Sequence, residues 1–253
     1  MGGSFTMKSF EQTYVEGTKD AQDNYTYEVL LESDKSLMQE AAECLADTFL
    51  GVEIGETFIS EPVLTSVHVS KTTLTEFLIN FFEIHAKEGL TIIAKDKRSN
   101  RIVGVLASEL YDPTKIIPTY KGKFKKLNKV IELCDYLGKR YSEFMQLKTK
   151  HKLKKDEHIH AFMIGVKLEY NKKYVGMEML SLLERVGIEK GHISIFAELT
   201  NFRSQKLFTM LNWSFPLDNN GDPIVYSYAN DPVFKSIPRH ISLTCDLCYK
   251  LLN

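Results

Sequence analysis

The sequence predicts one α/β domain whose mixed sheet carries helices on both faces. Three observations predict it. Residues 158–166, HIHAFMIGV, form an apolar, β-branched run of the kind that makes a buried strand. From Gly176 the apolar period becomes helical, with Met179, Leu180, Leu183, Val186 and Gly187 on one side and Gly191 as the C-terminal stop. Strand-like and helix-like segments alternate along the rest, in the order β-α-α-β-β-α-β-α-β-α-β-β.

Taken in order, residues 1–23 are polar and expected to be flexible, and 24–253 form the single domain. Residues 25–31 alternate as a first strand, and Ser33-Asp34 caps a helix with Leu37, Met38, Ala41, Ala42, Leu45 and Phe49 on one face. An irregular stretch over 51–69 leads to a second helix starting near Ser70, whose buried stripe runs from Leu74 to His85. His85 lies on that stripe and reads as a packed core histidine rather than a ligand. Residues 90–95 and 101–110 flank Asp96-Lys-Arg-Ser-Asn100 as a hairpin, followed by a helix carrying Leu127 through Phe144. After the strand at 158–166 come a polar loop, a helix, a short strand at 192–199 and a further helix that Thr200 or Asn201 can cap. Residues 224–228 and 240–247 are the final strands.

Composition bounds the function. The 253 residues, 43% hydrophobic and 26% charged, suit one soluble globular domain with a sizeable core. No apolar run reaches about 18 residues, so no membrane span is expected. Four cysteines and no secretory signal point to free thiols and a cytoplasmic protein. Cys245-x-x-Cys248 lacks a second pair or nearby His ligands, so no metal is expected and both read as strand cysteines. Net charge is −1, yet residues 121–155 hold twelve Lys/Arg against Glu132, Asp135 and Glu143. Without interleaved stacking aromatics this segment reads as a solvated face, and no nucleic acid partner is expected.

A loop that leaves a strand and ends at a glycine on a helix N-terminus exposes unpaired backbone N–H groups, a natural seat for a diphosphate. The stretch from Val166 to Gly176, VKLEYNKKYVG, resembles the acetyl-CoA loop of the GNAT N-acetyltransferases, whose usual form is valine, x, proline, x, aromatic, then R/Q-x-x-G-x-G/A. Residues 201–213, NFRSQKLFTMLNW, are similar to that family's N-x-x-A-x-x-L-Y-x-x-x-G-F. The departures are Leu168 for the proline, Asn171 for R/Q, Tyr174 for the first glycine and Asn212 for the late glycine. The resemblance implies a mostly antiparallel sheet whose two parallel central strands splay apart to admit acetyl-CoA. It places the cofactor along Ile164, Gly165 and Val166, and over Asn171, Lys172, Lys173, Tyr174, Val175, Gly176 and Met177. From the second segment it adds Asn201, Ser204 and Lys206.

N-acetyl transfer needs a neutral amine, a donor for the thioester oxygen and a proton for the leaving thiolate. A backbone N–H between Met163 and Val166 is the expected donor. Residues 58–64, FISEPVL, resemble the F-F-x-D-E-P-L signature of insect-type arylalkylamine and dopamine N-acetyltransferases, which implies Glu61 as general base. Pro62 holds Glu61 in an extended geometry. His160, two residues from His158 and on the same side of the strand, is a competing proton relay, or else a structural histidine. Phe208 stands where many GNAT enzymes have a tyrosine acid, so Thr200 and Ser204, four apart, are the candidate hydroxyls, with capping as their other role. The implied acceptor is a small primary amine, an arylalkylamine or polyamine, and the protein a monomer or homodimer. The alternative is an acetyl-CoA-binding module with little or no catalysis.

Overall fold

The computed structural model describes residues 23–54, 57–170 and 174–252. The flexible segment expected over 1–23 lies outside them except for Asp23, as do Asn171, Lys172 and Lys173 of the phosphate loop. A seven-stranded sheet has the order β1-β4-β5-β6-β7-β9-β8. Its strands are β1 (Tyr25–Val29), β4 (Ile92–Asp96), β5 (Ile102–Leu110), β6 (His158–Val166), β7 (Ser194–Leu199), β8 (Val225–Ser227) and β9 (Thr244–Leu251). Every neighbouring pair is antiparallel except β6 with β7, the parallel centre of the sheet.

Helices cover both faces. On one lie α1 (Lys35–Leu50), α3 (Lys71–His85) and α4 (Asn128–Thr149), burying Leu45, Leu78 and Leu137 against sheet residues such as Val105 and Phe196. On the other, α5 (Val175–Glu189) and α6 (Phe202–Met210) bury Met179, Leu183 and Phe208 against Ile159, Ile195 and Leu199. The alternation of β7 explains this division, since successive side chains of a strand point to opposite faces. No helix among the described residues is long and apolar enough to cross a membrane.

The stretch 51–69 is not irregular. It holds a small antiparallel hairpin, β2 (Val52–Ile54) with β3 (Thr57–Ile59), and the one-turn helix α2 (Pro62–Ser66). Asp34 occupies the N-cap of α1, but its side chain makes no bond to the helix. It accepts instead from Leu31 N at 3.4 Å. The last strand begins at Thr244 rather than near His240, because a turn closed by Ile241 N to Pro238 O at 2.8 Å takes up the preceding residues.

Two features of β6 shape the centre. Ala107 and Ser108 are consecutive on β5 but pair with Met163 and Ala161, so Phe162 is an extra residue in β6. Such a bulge reverses the inside-outside alternation beyond it. His158, His160 and Phe162 therefore face the α3–α4 side, and so does Gly165, which meets α1. A Cβ there would run onto Thr48 Oγ1 and come within 3.0 Å of Leu45. Second, β6 and β7 pair only at His158↔Ser194, Ile159↔Ile195 and His160↔Phe196. From Ala161 onward β6 stays with β5 while β7 stays with β9, and the sheet opens between them.

Candidate active site

On the α5 side of the opening, Ile164 and Val166 lie against Gly176 in the first turn of α5; each is 3.7 Å from where a Cβ on Gly176 would sit. Tyr174 caps this helix in the left-handed region at φ 58°. That conformation is free for glycine and unfavourable for tyrosine, which explains why a glycine is usual at this place in the loop. Met177 N and Glu178 N both bond to Tyr174 O, at 3.0 and 3.1 Å. The amides of Val175 and Gly176 remain as the open donors of the first turn among the described residues. Met177, by contrast, has its amide engaged and its side chain buried.

On the opposite face a cavity of about 540 Å³ lies between α3, the 110–120 connection, α4 and the open end of the sheet. Phe77, Phe81, Tyr120, Phe162 and Phe196 give it aromatic walls, and Phe162 stacks on Phe81 at 5.2 Å. His160 lies on Phe196, with ring centroids 4.8 Å apart and 11° between planes. Its Nδ1 is 3.1 Å from Glu109 and its Nε2 is 2.7 Å from Glu198. Burial opposes charge on this imidazole, but the two carboxylates outweigh it and raise its pKa to about 10. Burial likewise opposes charge on Glu109, and the His160 hydrogen bond and charge bring it down to about 2. His85 extends the chain, with Nε2 3.2 Å from Glu109 and Nδ1 2.9 Å from Glu88. It is more than a packed core histidine, since it also lines the cavity.

His158 sits where the parallel strands are still paired. Its Nδ1 lies 2.7 Å from Ser194 and 3.0 Å from the Tyr141 hydroxyl, which also bonds Ser194. Burial lowers its pKa to about 4. This cluster ties β6, β7 and α4 together just before the strands part.

Glu61 is the N-cap of α2, and Pro62 occupies the first position of that helix. The carboxylate accepts from Val63 N at 3.0 Å and from Leu64 N at 2.6 Å. Burial raises its pKa, and those amides together with the Thr200 hydroxyl pull it partly back. Phe196 and Glu198 floor the cavity, and Thr200 is next on that face of the β7 line, which puts the base candidate beyond the end of that floor rather than in the cavity lining. The Tyr228 hydroxyl holds this point by donating to Thr200 O at 2.9 Å.

Asn201 and Ser204 form a capping box on α6. Asn201 accepts from Arg203 N and Ser204 N, and the Ser204 hydroxyl donates to Asn201 O at 2.8 Å. Lys206 is exposed on that helix. Phe208 is buried edge-on against Trp213 at 4.7 Å. Cys245 and Cys248 are buried free thiols in β9, and no cluster of metal-ligating side chains occurs among the described residues. Glu109, Glu198 and His85, all central to the cavity, were not singled out from the sequence as site residues. A second hollow, of about 610 Å³, lies at the end of α4 beside 217–224 and includes none of the expected site residues.

No family model matches the chain, and no curated protein matches it in sequence. Solved structures do match. The C-terminal condensation domain of Ebony, in complex with beta-alanyl-dopamine, aligns with a TM-score of 0.63 at 15% identity, covering 90% of this chain and 98% of that one. A mosquito arylalkylamine N-acetyltransferase like 5b aligns at 0.61 and 16%, covering 90% and 100%. The putative arylalkylamine N-acetyltransferase 7 of the yellow fever mosquito Aedes aegypti aligns at 0.69 and 12%, covering 90% and 88%. With a single parallel pair opening at the centre of an otherwise antiparallel sheet, the chain has the GNAT fold, in the form it shares with insect arylalkylamine N-acetyltransferases.

Proposed function

We propose that the protein is an acetyl-CoA-dependent N-acetyltransferase acting on a small primary amine, an arylalkylamine or polyamine, by direct attack with Glu61 as general base. The observation that carries this reading is the gap between β6 and β7. It has open helix amides on one side and an aromatic, carboxylate-bearing cavity on the other. Two of the similar structures are arylalkylamine N-acetyltransferases by name, and a third holds an amide of dopamine.

When bound, acetyl-CoA supplies an activated acetyl group as a thioester. The amides of Val175 and Gly176, with the 171–173 loop, would hold its diphosphate. Backbone N–H groups between Met163 and Val166 would polarise the thioester oxygen. Glu61 takes a proton from the ammonium, and burial, by raising its pKa, makes it a better match for that task at neutral pH. The Thr200 hydroxyl is the one side-chain group that lowers the pKa of Glu61, whereas that of Ser204 is engaged by its own helix cap, so Thr200 is assigned to the proton's path. His160, held as an imidazolium by two carboxylates, has no free basic nitrogen and is assigned no role as a base.

The test is thiol release from acetyl-CoA across a panel of aryl-alkyl and polyamine acceptors, with the acetylated amine identified by mass. Turnover on at least one amine is expected. Saturable acetyl-CoA binding with no turnover on any amine would make the protein a binding module instead.

A further inference from the structure

Glu198, which lines the cavity, carries a buried acceptor oxygen without a donor. Glu198 Oε1 has no hydrogen-bond partner among the described residues, while Oε2 meets His160 Nε2 at 2.7 Å. The rest of the ionic chain is satisfied. Glu109 meets His160 through one oxygen and, through the other, His85 at 3.2 Å and Lys115 at 3.4 Å. His160 has a carboxylate at each ring nitrogen. Of the other cations lining the cavity, Lys139 is 2.6 Å from Asp135. One imidazolium thus lies between two buried carboxylates, and the open valence falls on Glu198. A buried carboxylate oxygen left without a donor is costly, and a charged donor arriving there relieves that cost.

Position adds to chemistry. Glu198 stands between Phe196 and Thr200 on the same face of the β7 line, so it lies between the aromatic floor and the hydroxyl residue that lowers the pKa of Glu61. We infer that Glu198 Oε1 receives the cationic nitrogen of the acceptor, with His160 fixing the carboxylate in place, so that the cavity selects positively charged molecules with an aromatic or apolar body over their neutral isosteres. This rests on reading the cavity as the acceptor site. It separates two tasks, since Glu198 binds the ammonium whereas Glu61 takes its proton.

The experiment measures binding without any acyl donor. Phenethylamine and 2-phenylethanol share a ring and a two-carbon arm and differ in charge at neutral pH. Calorimetric titration of the wild-type protein is expected to favour the amine, and Glu198→Gln is expected to reduce that preference about 10- to 100-fold, the usual range for a lost charged hydrogen bond. Glu83→Gln removes the same charge from the exposed rim, where Glu83 lies 3.7 Å from Lys35, and should change the preference less than about twofold. Glu198→Asp, which keeps the charge, should retain part of it, and thermal melts of all three variants establish that they fold. Equal affinity of the wild type for amine and alcohol, or an unchanged preference in Glu198→Gln, overturns the inference. Cation selectivity that depends on Glu198 in a protein without acyl transfer leaves the inference standing and removes the transferase reading. Acyl transfer with KM unchanged in Glu198→Gln does the reverse.

Discussion

His158 and His160 stand two residues apart on one face of β6, and their surroundings drive them to opposite protonation states. His158 is buried among hydroxyls, which leaves it neutral, with its pKa lowered to about 4. His160 is equally buried, but each ring nitrogen faces a carboxylate, which raises its pKa to about 10. Partners, not burial, decide the sign.

The two histidines load stability onto different pH windows. Below pH 6.5 the unfolded chain protonates His158 before the folded one does, so that contribution is lost as pH falls from 6.5 to about 4. His160 binds its proton more tightly when folded, so its contribution is complete below 6.5 and is lost as pH rises towards 10. Each is worth a few kcal/mol at most. Melting temperature against pH should show His158→Gln flattening the limb between pH 6.5 and about 4, and His160→Gln flattening the alkaline limb, with a further change only below about 4.5, where Glu109 loses the partner that depresses its pKa. Identical slopes in both variants would refute the assignment.

Gly165 supplies a test of how closely α1 approaches β6. A Cβ at this position would collide with Thr48 Oγ1. Gly165→Ala should cost about 1–3 kcal/mol by overpacking. Thr48→Ala removes the obstructing oxygen, so the double variant should recover at least about 0.5 kcal/mol relative to additivity. Urea unfolding of the four proteins gives the coupling directly, and strict additivity would mean that the helix does not press on the strand there.

The course of the central segment was legible because each of its elements has its own period. An apolar run, a polar loop and a 3.6-residue stripe cannot be exchanged for one another. The hairpin β2–β3 was missed although Val52-Glu-Ile54 and Thr57-Phe-Ile59 sit around Gly55-Glu56, because three-residue strands give too short an alternation to stand out. The extended geometry of Glu61 was legible from the proline after it, and its buried cap position is what that geometry allows. The cavity was not legible, since Glu109, Glu198 and His85 come from three elements far apart in sequence. A cue existed. Glu198 is the one acidic residue in the apolar strand SIFAEL, and an acid in such a strand needs a partner. The Phe162 bulge, which sets the orientation of the rest of β6, depends on pairing with β5 and has no local signature.

The amides of Val175 and Gly176 predict a ligand preference that needs no variant. Acetyl-CoA should raise the melting temperature, by roughly 5–10 °C at a hundredfold excess over its Kd. S-acetylpantetheine, which has the thioester but no diphosphate, should raise it much less at the same concentration. Equal shifts would show that the first turn of α5 does not read phosphate.

The proposed base carries a structural duty that any test must separate from catalysis. Each oxygen of Glu61 accepts one amide of α2. Glu61→Gln keeps one acceptor and turns an NH2 towards the other amide, so it should lose about 1 kcal/mol of capping as well as the base. Glu61→Asp keeps the charge and caps well, but withdraws the carboxylate by one methylene. If Glu61 takes the ammonium proton, Glu61→Gln should lower kcat/KM about 10²- to 10⁴-fold while the acetyl-CoA-induced melting shift persists. Raising the pH should partly restore Glu61→Gln, because more acceptor is then neutral before it binds, and Glu61→Asp should fall between it and the wild type. His160→Gln should cost less in rate, since an imidazolium held between two carboxylates has no basic nitrogen to offer. If Glu61→Gln lost stability but kept its kcat/KM, while His160→Gln lost rate in the neutral range, the carboxylate would be a cap alone and the base would lie on β6.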